Sequence, residues 1–221
     1  LLTSEGDLWR KQRKVIQPAF QSRRVAAQAD AIAEEAAALV ARLRRQNGQV
    51  IDLPREMTAL TLGVLGRTLL DARLDRFASI GGDFEVVQGQ AMFELASLSA
   101  VPTWLPLPRQ LRFRAARRRL QTIVDQLVDE RRGRVADRDD VLSRLITSAA
   151  DEADPQVGRR RVHDELVTLL LAGHETTAAT LSWSLHLLDQ HPEVRERLHE
   201  EATAVIGSRL PTVDDLGRLP W

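Results

Sequence analysis

The sequence predicts a mainly α-helical chain, a bundle of helices around one long central helix. Three observations predict it. Alanine, leucine and arginine are abundant while aromatic residues make up only 4%, with no tyrosine, a mix that favours helix over strand. Apolar residues recur three and four apart over long stretches. No turn signal such as Asn-Gly joins two alternating runs, and no fixed-period repeat is present.

Composition narrows the function classes. With 221 residues, 43% of them apolar, the chain can bury a sizeable core as one large domain or two small ones. Its 31 basic and 31 acidic side chains cancel, so charge gives no reason to expect a nucleic-acid partner. The absence of cysteine excludes disulfides, thiolate chemistry and cysteine-ligated metals for the chain as written. No apolar run approaches ~18 residues and no basic-then-apolar leader is seen, so no membrane span is expected in this segment and the expected compartment is the cytoplasm. The chain opens LLTSEGDLW without an initiator methionine and stops at LGRLPW. Two apolar ends lead us to expect a piece of a longer protein.

Taken in order, residues 5–18 predict a short, very basic helix limited by Pro18. Residues 21–46 predict one long helix, stopped by Asn47 and Gly48. Asp52 and Pro54 read as cap and first turn of a helix over 52–70, weakened by Gly63 and Gly66. Residues 75–98 predict a helix, with a possible interruption at Gly81–Gly82. SAVPTWLPLPRQ (99–110) holds three prolines and is the clearest connector. Its Trp104, Leu105 and Leu107 either cover something apolar, such as a pocket mouth, or pack on their own helices. Helices follow over 110–132 and 138–148, then a loop at 151–158, the long helix over 160–190, and another from Pro192 to Gly207. Thr212 and Asp215 fit a capping box.

The long helix carries the most informative stretch, LLLAGHETTAAT (169–180). Val162, Leu166, Leu170, Thr177, Leu181, Leu185 and Leu188 form the expected buried stripe, with its one longer gap at Gly173. A glycine there costs about 1 kcal/mol relative to alanine and lets something approach the backbone. Ala172 lies one turn before Thr176 on the same face. The Thr176 hydroxyl can bond the carbonyl four residues back or serve a ligand or water. Glu175 adds a proton-accepting group, though on a helix it points away from Thr176, so a water chain would have to connect them. The combination suits a proton route beside a buried ligand. It also suits a contact between helices built from small residues, with Glu175 at the surface. A second constellation is GDLWRKQRK (6–14), where Trp9 and Arg13 share a face. An indole N–H and a guanidinium together make a clamp for a carboxylate, and a solvated basic helix anchored by Trp9 is the alternative.

Together and in this order, these features resemble the cytochrome P450 family. AGHETT (172–177) is similar to the family's distal-helix pattern, GDLWRKQRKVIQPAF (6–20) to its early WxxxR helix, and HDELVTLLLAGHETTAATLSWSLHLLDQHPEVRERLHEEA (163–202) to its central helix running into the next. The resemblance implies that residues 1–221 are one partial domain of that fold, without the N-terminal end, the Glu-x-x-Arg helix or the cysteine loop. It implies a haem monooxygenase in the parent protein, placing one oxygen atom of O2 in a small apolar substrate. Electrons would come from NAD(P)H through a separate or fused reductase. Trp9 and Arg13 would bind a haem propionate. Ala172 and Gly173 would lie over the haem plane, Thr176 would steady the iron-bound peroxo group, and Glu175 would link that site to solvent. Residues 84–98, the proline-rich loop and the helix after it would roof the pocket, while Arg131 and Arg132 have no assigned role. The family's axial cysteine is absent, so this stretch alone is expected to be inactive.

Three other readings compete. RQLRFRAARRR (109–119) is arginine-rich and free of acids, as in a helical nucleic-acid binder. Alanine-rich helices suit a scaffold, which leaves Gly173 and Thr176 unexplained. His174 and Glu175 begin a zinc-hydrolase pattern, but position 178 is alanine, and no histidine is expected to bind metal.

Overall fold

The computed structural model describes residues 4–77, 79–98, 101–102, 104–133, 135 and 138–220. Among them there are helices and no strand, in the order α1 (Gly6–Ile16), α2 (Ser22–Ala26), α3 (Ala29–Arg45), α4 (Leu53–Leu69), α5 (Ile80–Ala96), α6 (Pro108–Arg132), α7 (Val141–Ala150), α8 (Pro155–Gln190) and α9 (Pro192–Val205). Short 3-10 turns cover Gln17–Phe20, where Pro18 ends α1, and Val213–Arg218. The fold is the mainly helical one the sequence predicts. No described helix is long and apolar enough to cross a membrane.

α8 is the axis. α4 packs on it most extensively, and α7 and α6 complete its buried side; α5 lies on α6 and α3 on α4. The principal core joins Leu62 and Leu70 on or next to α4, Phe84 of α5, Leu120 to Val128 of α6, Val141 to Leu145 of α7, and Val162, Leu166 and Leu170 of α8. A smaller cluster joins Leu39, Met57 and Ala178. The buried stripe of α8 runs at steps of four through Gly158, Val162, Leu166, Leu170, His174 and Ala178, with Glu165 buried beside it. Thr177 is exposed, contrary to the expected stripe, because a four-residue step drifts around the helix differently from the assumed mix of threes and fours. Past Leu181 the helix is largely uncovered, and Trp183 is 65% exposed.

Local chemistry sets the boundaries. Asp52 caps α4 by accepting from the Arg55 amide at 3.1 Å. α8 starts at Pro155, earlier than the sequence suggests, because Asp154 caps it through the Gln156 amide at 2.8 Å and Gly158 seats against α7. A Cβ on Gly158 would lie 2.6 Å from the Ala149 carbonyl oxygen. α5 starts at Ile80, so Gly81 and Gly82 fall in its first turn and interrupt nothing. The single helix expected over 21–46 is two. α2 ends where Gln28 donates to the Val25 carbonyl, and Arg24 of α2 is drawn to Asp139 before α7. The capping box of Thr212 and Asp215 forms, with Arg209 also on Asp215.

Arg131 acquires a structural role. Its guanidinium is buried, pairs with Asp140, donates to Ser143 Oγ at 3.0 Å and to the Leu70 carbonyl at 2.6 Å. It thereby ties the end of α6 to the α7 cap and the α4 terminus. The arginine-rich start of α6 is also partly committed. Arg109 bonds the Gly89 carbonyl and Gln90, Arg114 the carbonyls of Trp104 and Leu105, and Arg119 the Asp83 carboxylate. Arg112, Arg117 and Arg118 stay exposed. The connector is pinned through Arg114, and Trp104 on it is 74% exposed rather than packed on its own helices; residues 99, 100 and 103 lie outside the described residues.

Replacing Arg131 with alanine should destabilise the protein by about 3–5 kcal/mol, because it leaves the largely covered Asp140 carboxylate without its cation, held by Ser143 alone. Urea melts of variant and parent measure it; a loss below about 1 kcal/mol, the range of an exposed pair, would contradict the buried clamp.

Candidate functional site

The AGHETT turn lies whole within α8, with no break in the helix. Its polar side chains bond backward along the same helix. His174 Nδ1 meets the Leu170 carbonyl at 2.6 Å, Thr176 Oγ1 donates to Ala172 at 3.1 Å, and Thr177 Oγ1 donates to Gly173 at 3.1 Å. Thr180 Oγ1 donates to Thr176 at 2.8 Å and Ser182 Oγ to Ala178 at 2.8 Å. These bonds satisfy hydroxyl hydrogens locally, so the helix carries polar residues without unwinding. Each hydroxyl oxygen keeps its acceptor lone pairs for something outside the helix.

Successive residues point about 100° apart, so the turn presents distinct faces. Ala172, Thr176 and Thr180 lie along one exposed face at steps of four. Glu175 is half-buried on another, where with His174 it lines a groove of about 1090 Å³ between α4 and α5 that α3 and Arg119 also border. Glu175 makes no ion pair among the described residues. Solvent can therefore reach Glu175 from the side away from Thr176.

Gly173 points elsewhere again, toward α4. A Cβ there would meet Leu65 of α4 at 2.9 and 3.0 Å. The space the glycine opens is filled by Leu65, so Gly173 lets α4 approach α8. Room on the exposed face comes from Ala172. The glycine thus follows the alternative of a close helix contact, while its neighbours keep the polar, open face.

Trp9 and Arg13 share a face of α1, with the Arg13 guanidinium 5.1 Å from the centre of the Trp9 rings. With Arg10, Lys14, Gln17, Pro18 and Gln21 they line a recess of about 350 Å³. Cation–π contact steadies the guanidinium. Arg13 makes no ion pair among the described residues, so its edge donors are free for an anion. The pair forms no bond with Ala172, Gly173, Glu175 or Thr176; the two constellations are separate. α1 packs chiefly on α7.

His174 is the residue that sequence reasoning missed. It is 4% exposed, and its ring lies 4.9 Å from that of Phe84 at a tilt of 45°. The strict 166, 170, 174, 178 spacing was the available signal. Burial holds its pKa below the ordinary 6.5, against the opposing pull of the Leu170 carbonyl and the Glu175 charge.

A family model described as Cytochrome P450 matches residues 1–221. The chain belongs to the cytochrome P450 family. Among its relatives are the cyclooctat-9-en-7-ol 5-monooxygenase of Streptomyces melanosporofaciens, 34% identical over all of this chain and 48% of the relative. The pentalenene oxygenase of Streptomyces avermitilis is 35% identical over 95% of this chain and 46% of the relative. The plant protein LUTEIN DEFICIENT 5, chloroplastic, from Arabidopsis thaliana is 28% identical over all of this chain and 40% of the relative. The chain spans about half the length of the curated relatives it matches. As a P450 it carries the helix that the family pattern AGHETT marks, and it contains no cysteine.

The depressed His174 sets a pH dependence. A histidine whose pKa is low in the folded state and ordinary when unfolded takes up protons on unfolding, so stability falls as pH drops below about 6.5. Urea melts between about pH 7.5 and about pH 5 should show that slope, and His174→Phe should flatten it. An undiminished slope in the variant would assign the effect to other groups.

Proposed function

We propose that this chain forms the distal wall and one carboxylate clamp of a haem-dependent monooxygenase that inserts one oxygen atom of O2 into an apolar substrate. Residues 1–221 are then one partial P450 domain. The observation that carries the reading is the division of faces on one α8 turn, with Thr176 and Ala172 toward open space and Glu175 toward an open groove.

The residues present suit a haem. Trp9 and Arg13 offer an indole N–H and an unpaired guanidinium for a propionate, and Ala172 offers a small side chain where a flat macrocycle needs clearance. Bound haem supplies dioxygen activation and electron storage. The chain's own residues do the rest. Thr176 holds a proton at Oγ1 and keeps lone pairs free to receive another. Glu175 takes protons from groove water and passes them along a water chain to that hydroxyl. Gly173 keeps α4 close, which fixes the rotation of the turn. The iron ligand has to come from residues outside these 221, because thiolate ligation is the family's and no cysteine is here. On this reading the stretch by itself is inactive and works within a cytoplasmic parent.

Electrons reach the parent from NAD(P)H through a separate or fused reductase. The substrate is a largely hydrocarbon molecule, as the pentalenene and cyclooctat-9-en-7-ol in the relatives' names suggest. α5, the proline-rich connector and α6 would cover it and exclude water.

In the full-length protein, Thr176→Ala should release peroxide and cut product per nicotinamide consumed by roughly tenfold or more, with substrate affinity within about twofold. An unchanged ratio would remove Thr176 from the proton route. Arg13→Leu should speed haem loss to a scavenging globin by roughly tenfold, as expected for a lost hydrogen bond to a charged group. Haem release at the parent rate would show that Arg13 does not hold the carboxylate.

A further inference from the structure

His174 is explained neither by the apolar stripe nor by the open face. A leucine there would extend Leu166 and Leu170 without desolvating a ring nitrogen. The hydrogen bond to Leu170 fixes the tautomer. A carbonyl only accepts, so Nδ1 carries the proton and Nε2 is a lone-pair acceptor. Phe84 packs against the ring and is itself buried, which holds the imidazole in one orientation. Nε2 has no bonded protein partner among the described residues, and His174 borders the same groove as Glu175.

We propose that His174 is a positioning residue for proton delivery: its Nε2 accepts a hydrogen bond from a groove water and holds that water beside the Glu175 carboxylate. This rests on the reading of Glu175 and Thr176 as the proton route. One O–H of the water points to Nε2. The oxygen receives a proton from the next water outward, and the other O–H gives one to Glu175. His174 itself neither gains nor loses a proton in the step. Most other charged groups of that groove are already engaged: Arg42 pairs with Glu56, Arg73 with Asp75, and Asp52 caps α4, while Arg45 lines it too. Asp83 of α5 is engaged by Arg119 of α6 at 2.9 and 3.1 Å, and Glu35 of α3 pairs with Arg67. Arg55 of α4 and Glu85 of α5 line the groove as well. Protonating His174 turns Nε2 into a donor and reverses the water, so delivery fails in acid.

The test uses the full-length holoprotein with its reductase. His174→Phe keeps a ring against Phe84 and removes Nε2. His174→Asn keeps a donor for Leu170 and also lacks a group at Nε2. Both should lower product per nicotinamide consumed about fivefold, raise peroxide and enlarge the solvent deuterium isotope effect, as for one lost hydrogen bond in the limiting step. His174→Gln, which sets an amide oxygen near the Nε2 position, should recover most of the ratio. The unmodified protein should lose coupling only as pH falls below about 6.5, and the Phe variant should show no such loss. Parent-like coupling in the Phe and Asn variants, or no recovery with Gln, overturns the proposal. Should none of the variants bind haem, a flat pH profile of the unmodified protein overturns it and a falling one supports it. Thr176→Ala separates the two readings. If it leaves coupling intact, the proton route itself fails; if it uncouples while the His174 variants do not, only the His174 role fails.

Discussion

Everything in this chain is hung on the buried side of α8. Val162, Leu166 and Leu170 bind it to α4, α6 and α7, and Leu166 is fully enclosed. Burying three such side chains contributes roughly 1.5–3 kcal/mol each. More consequential is the rotation they impose. Once these positions face the core, the direction of every later residue on a continuous helix is set by its 3.6-residue turn. Ala172 and Thr176 are forced outward, Glu175 sideways to the groove, and Gly173 against Leu65. The site owes its arrangement to hydrophobic contacts one to three turns away, none of which touches the chemistry.

Side-chain bonds along the helix reinforce that arrangement. Threonine and serine normally weaken a helix interior by competing for backbone groups. Here each hydroxyl shares an acceptor that the helix already uses, so the competition is resolved without a break. The clamp on α1 is built differently. Arg13 lies over Trp9, and its position depends on one stacking contact at the surface.

Much of this was legible in the residues. Asp52 with Pro54 marked the start of α4, Pro192 that of α9, and Thr212 with Asp215 announced their cap. Faces were harder. Spacing of three and four puts Thr177 in the stripe of α8 with a gap at Gly173, yet His174 holds the buried place. Burial of a polar ring depends on its having a partner, here Leu170 and Phe84, and the second of these is distant in sequence. The same limit applies to Gly173, since a glycine reports that something comes close without saying what. The split of α2 from α3 and the role of Arg131 also depend on remote partners, Asp139 and Leu70. Local pattern gave the elements; contacts between distant segments decided which way they turned.

The doubled hydrogen bonds of α8 bear on what this wall can recognise. The carbonyls of Ala172 and Gly173 each take a hydroxyl in addition to the backbone amide, so both oxygens are saturated. A guest molecule with its own alcohol would find no vacant peptide oxygen there. It would instead meet a row of threonine oxygens whose hydrogens are turned back into the helix, and a guest able to give a hydrogen would be met without breaking those bonds.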